Sequence, residues 1–158
     1  MPSPTPPIIS NSCCTAIPTN SCRSPALFGA PVKKTPVHNH TVWGVIGMLR
    51  GSETCKNFEI SAEGTPLLAT DTMSLQPQDV TVVSPSVGDI HEVGNSLADR
   101  PSISFHAYGA NIGAVSRHVF DPDTGKRKPF VSGYANTEIP NIWDRSKEVR
   151  EALLNGAQ

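Results

Sequence analysis

Residues 35–47 run Thr35-Pro36-Val37-His38-Asn39-His40-Thr41-Val42-Trp43-Gly44-Val45-Ile46-Gly47. The stretch from Val37 to Leu49 is rich in β-branched and aromatic residues and stops at Arg50-Gly51-Ser52, so it reads as a β-strand followed by a turn. In a strand, residues i and i+2 share a face. His38 and His40 therefore present two imidazoles to one side, about 7 Å apart along the backbone by strand rise. Two such rings can chelate one cation, and neutral imidazole suits iron, zinc, nickel or copper. Spacing alone leaves the alternative open, because many such pairs are incidental and a lone histidine is more often a packed or surface residue.

The pattern continues outward as short strands with turn residues between them. Thr54 to Ile60 is followed by a turn at Ala62-Glu63-Gly64-Thr65-Pro66. Asp79 to Val83 stops at Ser84-Pro85, and Asp89 to Val93 is bounded by Gly88 and Gly94-Asn95. Ser102 to Tyr108 is the clearest strand. Val115 to Phe120 is closed by the turn Asp121-Pro122-Asp123-Thr124-Gly125, with Lys128 to Ser132 as its return partner. One helix is expected, from Asp144 to Leu154, capped by Asp144 and ended by Gly156, with Val149, Ala152 and Leu153 on a thin apolar face. Trp143 and Tyr134 are expected to pack this segment on the rest. Many short strands and little helix argue for an all-β barrel or double-sheet sandwich. Gly44, Gly47 and Gly51 lie within a strand pattern, which argues against a phosphate-binding loop.

A chain of 158 residues suits one domain. A net charge of -1 and a pI near 6.5 give no basic stripe for nucleic acid or an anionic membrane. No apolar run approaches the ~20 residues that span a bilayer, and no signal-peptide pattern opens the chain. Residues 1–31 hold seven of the 15 prolines, and Arg23 is their only charged residue. Residues 1–24 are expected to lack regular structure, with a first strand beginning near Ala26–Ala30. The division expected is an irregular segment over 1–27 and a folded domain over 28–158. Cys13, Cys14, Cys22 and Cys55 show no C-x-x-C spacing and read as free thiols in a reducing, cytoplasmic compartment. A metal site from Cys13, Cys14 and Cys22 is disfavoured, since adjacent cysteines chelate poorly. A monomer or small homo-oligomer is expected.

The five histidines all lie in or beside these strands. His91 comes on a later strand, where a barrel can bring it to His38 and His40 and leave the far side of a metal open. Ser104, His106 and Tyr108 alternate along one strand and share a face. A serine hydroxyl can bond one imidazole nitrogen and a tyrosine hydroxyl the other, which fixes the tautomer and aims the phenol. Such a phenol beside a metal can donate to bound O₂. The alternative is a half-polar strand facing solvent. A Ser-His-Asp hydrolase is less favoured, because no G-x-S-x-G elbow is present. His118 reads as a packed strand histidine or a group beside the site, and Arg117 as a candidate for a substrate carboxylate.

The run from Thr35 to Gly47 resembles the metal motif of the cysteine dioxygenase family, within the cupin superfamily. So does Gly88-Asp89-Ile90-His91, followed thirteen residues later by Ser104-Phe105-His106-Ala107-Tyr108. Arg117 to Gly125 looks like the family's closing strands, and the resemblance spans roughly residues 28–154. It implies a cupin double-stranded β-helix, a jelly-roll barrel with a short C-terminal helix. It further implies ferrous iron on His38, His40 and His91, and a hydrogen-bonded triad of Ser104, His106 and Tyr108. The implied reaction adds both atoms of O₂ to cysteine or 3-mercaptopropionate, giving a sulfinic acid without an organic cofactor.

Many cupins carry a glutamate shortly after the H-x-H. Here that region holds none, and Glu53 and Glu59 are expected on a solvated strand face. Gly44 and Val45 stand where mammalian-type members carry a cysteine that crosslinks to the tyrosine. No crosslink to Tyr108 is expected, and the chain looks closer to the 3-mercaptopropionate dioxygenase-like branch. Residues 1–27 do not match the family's upstream carboxylate-binding strand. Two alternatives therefore stand beside the dioxygenase: a non-catalytic or differently active metal-binding cupin with a truncated N-terminus, and another metal-dependent cupin enzyme such as an isomerase or a different oxygenase.

Overall fold

The computed structural model describes residues 34–61, 67–132 and 145–156, together with the backbone of 11–13 and 25–29. Eleven strands are described: β1 Asn11–Cys13, β2 Pro25–Gly29, β3 Val37–His38, β4 Gly44–Arg50, β5 Glu53–Ile60, β6 Leu67–Leu75, β7 Val80–Val83, β8 Ile90–Asn95, β9 Ser102–Tyr108, β10 Arg117–Phe120 and β11 Arg127–Phe130. One helix, α1, spans Ser146–Asn155, and a 3₁₀ turn covers Ile112–Ala114. The strands form two sheets, ordered β1-β2-β9-β4-β7 and β11-β10-β3-β8-β5-β6. Every pairing is antiparallel. The chain passes repeatedly from one sheet to the other, and the two face each other across a shared interior. This is the cupin double-stranded β-helix, with one short helix near the C-terminal end.

Strand β9 shows why the sequence folds this way. Ser102, Ser104, His106 and Tyr108 are buried, while Ile103, Phe105 and Ala107 between them are more exposed, so the period of two is intact. Beside it in the same sheet, Ile46 and Met48 of β4 and Val83 of β7 close with Leu75 of β6, from the other sheet, into an apolar cluster inside the barrel. A second cluster joins Val37, Phe58, Leu67 and Phe120. By register it lies on the opposite face of the six-stranded sheet from His38 and His91, since His38 pairs with His91 and Val37 with Phe120. Each such buried side chain contributes about 1.5–3 kcal/mol.

Several expectations are corrected. The strand expected from Val37 to Leu49 is broken into β3 and β4, so the H-x-H pair does not ride on one continuous strand. Thr41 sits at φ 59°, an unusual conformation for a β-branched residue, and turns the chain there. β6 was not foreseen, and β1 gives regular structure within a segment expected to have none. β1 pairs with β2, which pairs with β9. The helix begins at Ser146, after Arg145, and Gly156 ends it at φ -85° with no left-handed turn. The turn expected at residues 62–66, the cap at Asp144, the packing of Tyr134 and Trp143, and the side chains of Cys13, Cys14, Cys22 and Arg23 lie outside the described residues. Cys55 is a buried free thiol. No helix among the described residues is long and apolar enough to cross a membrane.

Candidate metal centre

The three histidines converge. His38 on β3 pairs directly with His91 on β8, and His40 reaches them from the turn after β3. Their ring centroids lie 4.8–5.0 Å apart, and one ligand nitrogen from each falls within 4.8 Å of the others. His40 and His91 are each only 1% exposed.

The Nδ1 atom of each ring has a neighbour on the protein. His38 Nδ1 lies 2.9 Å from the Pro36 carbonyl, His40 Nδ1 3.2 Å from Asp89 Oδ1, and His91 Nδ1 3.3 Å from Cys55 Sγ. Such contacts orient the rings and leave Nε2 as the nitrogen for a metal. Burial is the largest cause holding all three below the usual imidazole range. Arg117 adds to it at all three and neighbouring imidazoles add to it at His38 and His91, while Asp89 partly opposes it at His40. Neutral imidazole is the form that binds metal. The donor set therefore fits a first-row transition metal, with three nitrogens on one side.

Asp89 builds the turn that carries His40. Its Oδ1 accepts from the His40 backbone N–H at 2.9 Å, and its Oδ2 from that of Thr41 at 2.8 Å. The same carboxylate meets the His40 ring, so one side chain fixes both the turn and the imidazole. Two N–H donors on one carboxylate offset the cost of the left-handed Thr41.

The alternating strand β9 supplies the second group. Ser104 Oγ lies 3.0 Å from His106 Nε2, and His106 Nδ1 lies 3.0 Å from Tyr108 Oη. Burial first, then His40 and Arg117, push His106 down to about 3, so it is neutral throughout the physiological range. The Tyr108 ring stacks on His40, with centroids 5.4 Å apart. It also lies against Gly44, directly opposite on β4, where an added Cβ would come within 2.8 Å of Tyr108 Cδ1. All six residues singled out from the sequence thus meet in one buried region, and the solvent-facing alternative for β9 is set aside.

Four further residues shape the region: Glu53, Cys55, Asp89 and Arg117. Glu53, expected on a solvated face, is 1% exposed and faces inward from β5, whereas Glu59 is exposed as expected. Its position, i−2 from the inward-facing Cys55, was the available signal. Cys55, buried and pushed up to about 11 by loss of solvent, is a thiol at neutral pH. Asp89 stands two before His91 on the same strand edge, a spacing with nothing distinctive in it. Arg117 is buried over the Phe130 ring, 4.5 Å from its centroid, and donates to the Asn39 carbonyl at 3.4 Å and to Ser132 Oγ. His118 is half-buried and apart from the three-histidine cluster, and its backbone N–H donates to Asn39 Oδ1 at 2.8 Å.

No family model matches the chain. Among solved structures, it is similar to a cupin superfamily protein from Desulfitobacterium hafniense, at 10% identity and TM-score 0.48 over 69% of this chain and 84% of that one. It is also similar to a conserved protein with a double-stranded β-helix domain from Klebsiella pneumoniae, at 18% identity and TM-score 0.48 over 70% and 84%. An oxalate oxidase solved with the substrate analogue glycolate matches at 13% identity and TM-score 0.46 over 57% of this chain. The chain spans 42% of the length of that oxalate oxidase. These likenesses concern the path of the chain alone.

Proposed function

We propose that this chain is an iron-dependent thiol dioxygenase that converts cysteine or 3-mercaptopropionate to its sulfinic acid with O₂. The observation that carries this reading is the buried line Ser104–His106–Tyr108, which ends with Tyr108 stacked on His40. A barrel that only held a metal would have no use for such a line, since each buried polar group costs free energy unless it is bonded.

In this reading His38, His40 and His91 hold iron, and Ser104, His106 and Tyr108 handle protons beside it. Iron supplies the electron transfer that lets O₂ react with a thiolate at ordinary temperature. The sulfur gives up four electrons and O₂ takes four, with both oxygens ending on sulfur. No organic cofactor or outside reductant is then needed. The neutral imidazoles present lone pairs, and Tyr108 holds a hydroxyl hydrogen in register with His106 Nδ1. The apolar walls of Ile46, Met48 and Val83 help exclude water from the interior. The positive charge of Arg117 acts on all four buried histidines and is the candidate for drawing in a substrate carboxylate.

The second reading is a metal-binding cupin without thiol chemistry. Arg117 favours it, because its guanidinium is already engaged by Asn39, Ser132 and Phe130. An oxygen electrode separates the two. Iron-loaded protein is given cysteine or 3-mercaptopropionate, and sulfinate is measured in parallel. The dioxygenase reading expects one O₂ consumed per sulfinate formed with at least one thiol. Iron bound at one per chain with no thiol-dependent uptake supports the second reading.

A further inference from the structure

Glu53 is the only fully buried Asp or Glu among the described residues, and it is not one of the three histidine ligands or of the Ser104–His106–Tyr108 line. It opens β5 on the same inward face as Cys55, and its carboxyl lies against β9 of the facing sheet. Its Oε1 accepts from Ser102 Oγ at 2.8 Å and from Ser104 Oγ at 3.2 Å. Its Oε2 is buried and has no hydrogen-bond partner among the described residues. Burying a carboxyl so incompletely satisfied is costly, and two serines converging on one oxygen mark that oxygen as an acceptor.

Hydrogen counting then sets the direction of the whole line. A serine has one hydroxyl hydrogen, and a neutral imidazole has one N–H. If Ser104 gives its hydrogen to Glu53, Ser104 Oγ can meet His106 Nε2 only as an acceptor, so His106 carries its hydrogen on Nε2. His106 Nδ1 is then bare and can meet Tyr108 Oη only as an acceptor. The donors run Tyr108 to His106 to Ser104 to Glu53. Glu53 ends the chain in either charge state: a carboxylate accepts on both oxygens, and a carboxylic acid with its hydrogen on Oε2 still accepts on the carbonyl Oε1.

We propose that Glu53 is a positioning residue, the fourth member of the Ser104–His106–Tyr108 line. Through Ser104 it fixes His106 as the Nε2–H tautomer and turns the Tyr108 hydroxyl hydrogen toward His106. Any other group that Tyr108 Oη meets is then met as a hydrogen-bond acceptor. For catalysis this rests on the thiol dioxygenase reading: Tyr108 would engage a proton-bearing group of the substrate, and donation from Tyr108 would require the line to reverse first. The hydrogen-bond direction itself depends on neither thiol nor O₂.

The test reads which His106 nitrogen carries hydrogen. Full-length protein with ¹⁵N-labelled histidine is loaded with zinc, which is diamagnetic, and long-range ¹H–¹⁵N correlations are recorded. His106→Gln assigns the signals. The hydrogen is expected on Nε2 in the wild type and in Glu53→Gln, whose amide oxygen can still accept from the serines. In Glu53→Leu the terminal acceptor is lost, Ser104 can turn its hydrogen to His106, and the His106 hydrogen shifts to Nδ1. A purely structural role for Glu53 would lower stability and leave the tautomer unmoved. Hydrogen on Nδ1 in the wild type, or on Nε2 alone in folded Glu53→Leu, overturns the proposal. Should Glu53→Leu not fold, Glu53→Met removes the same acceptor with an unbranched side chain, and an unshifted tautomer there overturns it equally. Absence of thiol oxidation would sink the dioxygenase reading and leave this result standing.

Discussion

His91 is the residue on which the centre depends most directly, because it pairs with His38 across the sheet and closes the three-nitrogen face. His91→Ala is expected to abolish stoichiometric metal binding, measured as metal per chain after gel filtration. Tyr108→Phe is expected to keep the metal and slow turnover by about a hundredfold or more, the usual scale for a positioned proton donor or acceptor. His106 gives a prediction in pH. Its folded value is pushed to about 3 from an ordinary 6.5, so below 6.5 the unfolded chain takes up a proton that the folded chain refuses. Its contribution to stability is therefore lost as pH falls. Relative to His106→Gln, the wild type should lose stability as pH falls from 6.5 towards 4, by roughly 1 kcal/mol per pH unit. Urea denaturation of both proteins across that range measures this, and parallel curves would show that His106 is not buried as described. At this scale Ser104, His106 and Tyr108 were legible because strand alternation puts i, i+2 and i+4 on one face, whereas His40 meets His38 from the turn beyond β3 and His91 comes from a separate strand. Glu53 was not, because alternation says which residues share a face and not which face turns inward.

The turn between β3 and β4 shows what elements add. The sequence reads as one strand through His38 and His40, yet the chain bends at Thr41, held by a carboxylate from the start of β8. That bend depends on a contact 48 residues away in sequence, which no local pattern encodes. Asp89→Ala should weaken metal binding by about 10–100-fold, the range found for partners that orient a ligating histidine. Competition against a chelator of known affinity reads this, and an unchanged affinity would mean that His40 needs no such support. Gly44 offers a second test on β4. A methyl there would meet the Tyr108 ring at 2.8 Å, so Gly44→Ala should displace the ring and slow turnover by up to about a hundredfold while metal content stays unchanged. The strands with strong turn residues at their ends were legible to within a residue or two, as with Ser102–Tyr108. β6 was missed because its burial is confined to its two end residues, with a polar middle at Ala69–Ser74 that carries no apolar alternation.

For the whole molecule, the two sheets are joined through their polar interior as well as their apolar one. Ser102 and Ser104 of one sheet bond Glu53 of the other, and Tyr108 of one stacks on His40 beside the other. A metal on the three histidines ties the β3 turn to β8 and binds only the folded chain. At a free concentration a hundredfold above Kd it should add about 2.7 kcal/mol. That is a rise of about 5–10 °C in Tm for a chain of this size, reversed by a chelator. A Tm indifferent to both would mean that the histidines hold nothing. The all-β architecture was legible from many short strands and a single helix, whereas the pairing of β1 and β2 onto β9 was hidden by proline-rich composition.

The central claim is that both atoms of O₂ end on a thiol sulfur beside His38, His40 and His91. The most direct measurement is turnover of iron-loaded protein under ¹⁸O₂ with cysteine and with 3-mercaptopropionate, followed by the mass of the product. The account predicts a sulfinate carrying two labelled oxygens from at least one thiol, and none from His91→Ala. A product without label, or disulfide with peroxide or water in place of sulfinate, would contradict it.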